Sequence, residues 1–155
     1  MTPEQIGLVQ QSFAKLRPIQ DATAQLFYLR LFEWDPSLQN LFPDDLEAQR
    51  GAVMAALGRV VDGLDDLETL RPMLRDLGRR HVGYGVRSVD YESFGEALLW
   101  TLKIALGKDY NAQVRQAWTA FYAFVSLAMM GESVGQAMAA PRPAMNGTAP
   151  DLGAP

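Results

Sequence analysis

The stretch Leu70-Arg71-Pro72-Met73-Leu74-Arg75-Asp76-Leu77-Gly78-Arg79-Arg80-His81 puts a histidine on a row of leucines. Leu70, Leu74, Leu77 and His81 recur at spacings of 4, 3 and 4, so one helix face carries three aliphatic side chains and then an imidazole. His81 is the single histidine among 155 residues, and there is no cysteine. A structural zinc site takes about four Cys or His ligands and catalytic zinc about three, usually with more than one His. Disulfides, thiol redox couples and thiol nucleophiles all need cysteine. Those classes are excluded, and any chemistry that needs an imidazole has to run on His81.

The chain keeps a helical period to about residue 134, with no strand-like alternation. Thr2, Pro3 and Gln5 supply a cap, a proline at the first helical position and a capping-box partner. Ile6, Val9, Phe13 and Leu16 follow at spacings of 3, 4 and 3. Pro18 is expected to open a second helix, with Leu26, Phe27, Leu31 and Phe32, running to Trp34 and closed by Asp35-Pro36; a short helical turn then leads to Phe42. Pro43-Asp44-Asp45 is expected to open a third, with Leu46, Gln49, Val53, Leu57, Val60 and Leu64 on its inner stripe. The helix that carries His81 ends at Gly83-Tyr84-Gly85. Asp90 is expected to cap a long helix through Tyr91, Phe94, Leu98 and Leu102, stopping at Gly107. The last helix, from about Asn111, is apolar nearly all round, which suits the centre of a fold or a subunit interface. Its Met129-Met130 pair reads as core filler. The expectation is an all-α domain of about seven to eight helices over residues 1–136. From Ala139 to Pro155, 11 of 17 residues are Ala, Pro or Gly, so residues 137–155 are expected to form a disordered tail.

A composition of 48% hydrophobic and 21% charged residues suits a globular domain with a real core. The net charge of −4 offers no basic face for nucleic acid. The first residues, Met-Thr-Pro-Glu-Gln, lack a signal-peptide pattern, and the longest nearly apolar run, Ala120 to Met130, is far shorter than the ~20 residues that span a bilayer. A cytoplasmic protein that partners neither nucleic acid nor membrane is expected.

Three stripes are not purely apolar: Tyr28 follows Phe27, Gln49 lies between Leu46 and Val53, and His81 continues the leucine row. A buried polar group without a partner costs about 1–3 kcal/mol, so each requires an explanation. Taken singly, a core tyrosine can bond a backbone carbonyl, a histidine can be a satisfied core residue, and Gln49 can sit at a stripe's edge. Their combination with Phe42, and their order along the chain, point further.

Leu26-Phe27-Tyr28-Leu29-Arg30-Leu31-Phe32, Asp35-Pro36 and Leu41-Phe42, then Gln49-Arg50 with Val53, then Leu77-Gly78-Arg79-Arg80-His81 with Gly85-Val86 and Tyr91, and finally Trp118 to Tyr122, occur in that order. Over about residues 3–132 this resembles the globin family, in particular the bacterial single-domain haemoglobins and the globin half of flavohaemoglobins. The resemblance implies a globin fold around a haem pocket, with haem b as cofactor. Haem iron takes four nitrogens from the porphyrin, so one protein ligand suffices, and His81 would be that metal ligand. Its other ring nitrogen would bond the Leu77 carbonyl. Tyr91 matches a tyrosine of the flavohaemoglobin proximal network. The network's glutamate does not match: Glu132 falls one residue early and Ser133 takes its place. Tyr28 and Gln49 would donate to bound dioxygen from the distal side, Phe42 would stack on the porphyrin, and Val53 and Val86 would shape the pocket. Arg80 first, and Arg50 second, are candidates for the haem propionates, though either serves equally as a solvated charge on an exposed face.

The Tyr–Gln pair implies tight, reversible dioxygen binding, with nitric oxide and carbon monoxide as further gas ligands. It also implies nitric oxide dioxygenation, in which an unidentified electron donor, a separate reductase, restores ferrous iron. A flavohaemoglobin carries its own flavin and nicotinamide domain, and this chain is expected to end before one begins. The alternative is a haem-based gas sensor or interaction module without catalysis.

Overall fold

The computed structural model describes residues 1–131. Six α-helices run through them: α1 Pro3–Leu16, α2 Gln20–Trp34, α3 Glu47–Asp62, α4 Leu67–Gly83, α5 Asp90–Leu106 and α6 Ala112–Met130. The described residues hold no strand. The difference from seven to eight helices lies in four 3-10 turns, at Arg17–Ile19, Pro36–Leu41, Gly63–Asp65 and Gly107–Asp109, which link the helices without reaching α-helical length. The proposed tail at 137–155, and Glu132 and Ser133, lie outside the described residues.

Local chemistry sets the helix ends. The Thr2 hydroxyl accepts from the Gln5 N–H at 3.1 Å while the Gln5 side chain accepts from the Thr2 N–H at 3.0 Å, which completes the expected capping box. Pro18 does not open α2. It sits in the preceding 3-10 turn, and α2 begins at Gln20. Nor does α3 begin at Pro43: the Asp45 carboxylate accepts from the Glu47 N–H at 3.0 Å, and the helix starts there. Asp90 is the first residue of α5 rather than its cap, because its carboxylate reaches back to accept from the Arg87 N–H at 2.9 Å and leaves the cap position to Val89. α5 stops as expected at Gly107, whose φ of +56° few other residues adopt.

In the packing, α1 lies on α6, α2 crosses α5 and lies beside α3, and α4 lies on α6. Trp118 of α6 is fully buried against Phe13 and Phe121, and its Nε1 donates to Ser12 Oγ of α1 at 2.8 Å. Two glycines permit the closest approaches. A Cβ at Gly78 would overlap the Met129 carbonyl, so the backbones of α4 and α6 touch there. A Cβ at Gly95 would press on the Tyr122 ring. These approaches bring the end of α4, with His81, against the face of α6 that carries Val125 and Met129.

Candidate functional site

A cavity of about 150 Å³ opens where α2 to α6 converge, and His81, Tyr28, Phe42, Val53, Val86 and Tyr91 all line it. Six of the ten residues expected at the site from sequence therefore meet in one space. The remaining walls are Phe27, Phe94, Tyr122, Val125, Ser126 and Met129, mostly apolar.

His81 stands on the last turn of α4, and its Nδ1 lies 2.8 Å from the Leu77 carbonyl oxygen one turn back. A carbonyl only accepts, so Nδ1 carries the proton and Nε2 keeps its lone pair. Burial lowers the imidazole from its ordinary 6.5 to about 4; the Leu77 bond opposes this, and the neighbouring Arg80 charge adds to it. His81 is therefore neutral at pH 7, with an oriented ring and a free nitrogen: the form in which histidine binds metals. Leu77 itself lines no part of the cavity and acts through its carbonyl. The Tyr84 ring lies edge-on to His81, with centroids 6.0 Å apart, a neighbour not expected from sequence.

Tyr28 is 2% exposed, and its ring packs against Phe27, Phe32 and Phe42 at centroid distances of 5.2, 5.9 and 5.4 Å. Burial pushes its phenol well above the usual range, and the nearby Gln49 amide opposes that shift. The two groups approach without meeting in hydrogen-bond geometry: the Tyr28 hydroxyl and Gln49 Nε2 are both buried, and neither has a partner. Gln49 is 3% exposed, so it lies inside the stripe rather than at its edge. It is not among the residues that line the cavity, and it neighbours Tyr28, which is.

Tyr91 is buried, and burial raises its phenol, with the Asp90 carboxylate adding to the effect. Its carbonyl accepts from the Tyr122 hydroxyl, which ties α5 to α6 at the cavity's edge. Arg80 is half-buried and pairs with Asp76 at 3.7 Å on its own helix. Arg50, the second cationic candidate, is held by Asp21 of α2 at 2.9 Å. Met129 is 7% exposed and forms a wall of the cavity, which is more than filler. The α6 walls Tyr122, Val125, Ser126 and Met129 recur at spacings of 3, 1 and 3. That pattern was visible in the sequence, but on a helix apolar nearly all round it did not say which face looked inward.

The sequence profile of the family described as Globin matches residues 25–129. Neuroglobin from Danio rerio is 35% identical over 138 residues, covering 79% of this chain and 86% of that one. The flavohemoprotein of Bordetella parapertussis is 29% identical over 134 residues, covering 84% of this chain and 33% of that longer protein. Among solved structures, an engineered carbene transferase built on a protein assigned as a nitric oxide dioxygenase of Rhodothermus marinus aligns with a TM-score of 0.77 at 26% identity, covering 90% of this chain and 96% of its own.

Proposed function

This chain belongs to the globin family, and we propose that it binds haem b through His81 and dioxygen under Tyr28 and Gln49. The observation that carries the proposal is a neutral imidazole, with one nitrogen already committed, on the same apolar cavity as a buried phenol that has no partner. The donor set suits the cofactor: one free imidazole nitrogen and buried donors without partners. Unpartnered buried donors cost about 1–3 kcal/mol each, and an accepting ligand relieves that cost at Tyr28 and Gln49.

When bound, haem supplies an iron that needs one protein ligand and leaves one position for a diatomic gas. His81 Nε2 would be that ligand, with the Leu77 carbonyl holding the ring's orientation and raising its basicity. Phe42 and Val53 would keep water from the pocket, Val86 and Tyr91 would close the histidine side, and Arg80 would serve the carboxylates at the rim. Tyr28 and Gln49 would donate to dioxygen, which accepts hydrogen bonds better than carbon monoxide does. Each bond is worth on the order of 1 kcal/mol, so dioxygen binding should be tight and its release slow.

Nitric oxide scavenging is the use that such affinity serves best. Nitric oxide, dioxygen and one electron from a separate reductase combine to nitrate. The likeness to a flavohemoprotein and to a protein assigned as a nitric oxide dioxygenase supports this activity. The globin domain is proposed to span residues 1–136, with 137–155 as a tail, in the cytoplasm. No helix among the described residues is long and apolar enough to cross a membrane.

The test is spectroscopic. The purified chain should show an intense Soret band that shifts on reduction and again with carbon monoxide, and His81→Ala should lose the native ligation spectrum. A colourless chain that takes up no hemin ends the haem proposal. Nitrate formed from nitric oxide by the oxygenated protein, given a reductant, tests the enzymatic part.

A further inference from the structure

An open groove of about 660 Å³ runs along α5 and α6 and shares no wall with the cavity that holds His81. Its size falls among small-molecule clefts, which span about 300–1,000 Å³. The groove is polarised along its length. Lys103 stands in the last turn of α5, Arg115 in the first turn of α6, and Tyr110 on the short connection between the two helices. Leu99 and Trp100 of α5, with Ala120 and Ala123 of α6, lie further from that connection and form an apolar end.

The cationic end has no counter-charge of its own. Lys103 and Arg115 are both exposed, and neither pairs with a carboxylate among the described residues. Glu96, the acidic residue of the groove, is held by Arg30 at 3.1 Å and lies about 10 Å from Lys103 along the helix. Burial raises the Tyr110 phenol and the Arg115 charge opposes this, so the guanidinium sits near that hydroxyl. Two cations and a tyrosine therefore share one end of a groove on a protein whose net charge is −4. At the other end Trp100 is half-buried and already supported. The Arg30 guanidinium lies 5.3 Å from its ring centroid, and Arg30 is not a wall of the groove, so the support comes from the far side. Ala120 and Ala123 keep the facing wall low.

We infer that this groove binds a planar aromatic ring carrying a phosphate group, the chemistry shared by flavin mononucleotide and adenosine monophosphate. The phosphate carries close to two negative charges at pH 7, and it bridges Lys103 and Arg115. The ring lies over Ala120 and Ala123 against Trp100, where aromatic contact adds to the burial of apolar surface. A bare anion uses only the cationic end, and a neutral ring only the apolar end. A ligand that joins the two parts gains from both. The site stands apart from the haem cavity, so its failure leaves the proposed function untouched.

Isothermal titration calorimetry on the full-length protein tests this with flavin mononucleotide, adenosine monophosphate, their phosphate-free forms riboflavin and adenosine, and inorganic phosphate. At least one nucleotide should bind about tenfold more tightly than its phosphate-free form and than phosphate, and which one does so identifies the ring. Added salt should weaken that binding. Added hemin should leave it unchanged, because groove and cavity share no wall. Lys103→Gln and Arg115→Gln, both at exposed positions, should each weaken it about fivefold while circular dichroism stays unchanged. Ala123→Phe, also at an exposed position, should block the ring. Failure of both nucleotides to bind overturns the inference. So does phosphate that binds as tightly as either nucleotide, which marks an anion site only. Displacement by hemin, or an affinity that survives Lys103→Gln and Arg115→Gln together, places the ligand elsewhere and overturns it too.

Discussion

The Gln49 amide lies near enough to the Tyr28 hydroxyl to oppose the rise in its pKa, yet neither the hydroxyl nor Gln49 Nε2 completes a hydrogen bond. Two donors are thus buried at a cost that the protein alone does not recover. On the proposed function, a bound ligand recovers it.

Tyr28→Phe should therefore move stability and function in opposite directions. Without haem, removing an unpartnered hydroxyl should leave the fold as stable or more stable by about 1 kcal/mol in urea unfolding. With haem, loss of one donor should speed dioxygen release about tenfold, the equivalent of roughly 1.4 kcal/mol, in stopped-flow measurements. An unchanged off-rate would show that Tyr28 does not donate.

Gly78 and Gly51 make a matched pair. A Cβ at Gly78 meets the Met129 backbone, whereas one at Gly51 on α3 meets nothing within 4 Å. Gly78→Ala should cost about 3 kcal/mol, because a helix has to shift to make room, and should loosen the α6 wall of the cavity. Gly51→Ala should stabilise by about 0.5–1 kcal/mol through helix propensity. Thermal melts of the two variants check both signs.

Ser12 accepts from Trp118 Nε1 at 2.8 Å in a fully buried setting. Ser12→Ala leaves that indole N–H without an acceptor and should destabilise by about 2 kcal/mol. Equal denaturation midpoints for the variant and the parent would show that the bond adds nothing.

The haem-free protein should lose stability in acid through His81. Its folded pKa of about 4 lies below the ordinary 6.5, so the unfolded chain takes up the proton first as pH falls. This contribution is intact above about pH 6.5, declines by at most about 1.4 kcal/mol per pH unit down to about pH 4, and is constant below that. Urea midpoints near neutrality and at about pH 5 should fall further for the parent than for His81→Gln. Parallel declines would assign the acid sensitivity to other groups.

What could be read along the chain was what depends on near neighbours. The Thr2–Gln5 capping box and the His81–Leu77 bond join residues three and four apart, and helix geometry alone brings such pairs together. The helices expected to open at Pro18 and Pro43 begin at Gln20 and Glu47, and Asp90 opens α5 instead of capping it; at Asp45 and Asp90 the carboxylate bonds nearby backbone. Asp76, the partner of Arg80, lies one turn away on the same helix, whereas Asp21, the partner of Arg50, is far along the chain and only folding brings it within 2.9 Å.

The sequence by itself determined that one imidazole, on a row of leucines and with its carbonyl partner one turn back, would carry any chemistry that needs a histidine, and that the chain would fold as packed helices. Only the tertiary structure decided which face of α6 looks inward, since a helix apolar on nearly every side carries no period to orient it. Contact of α4 with α6 at Gly78 made that choice. Packing of α2 against α3 likewise left Tyr28 and Gln49 buried and unpartnered, an outcome of distances between residues far apart in the chain that no local pattern encodes.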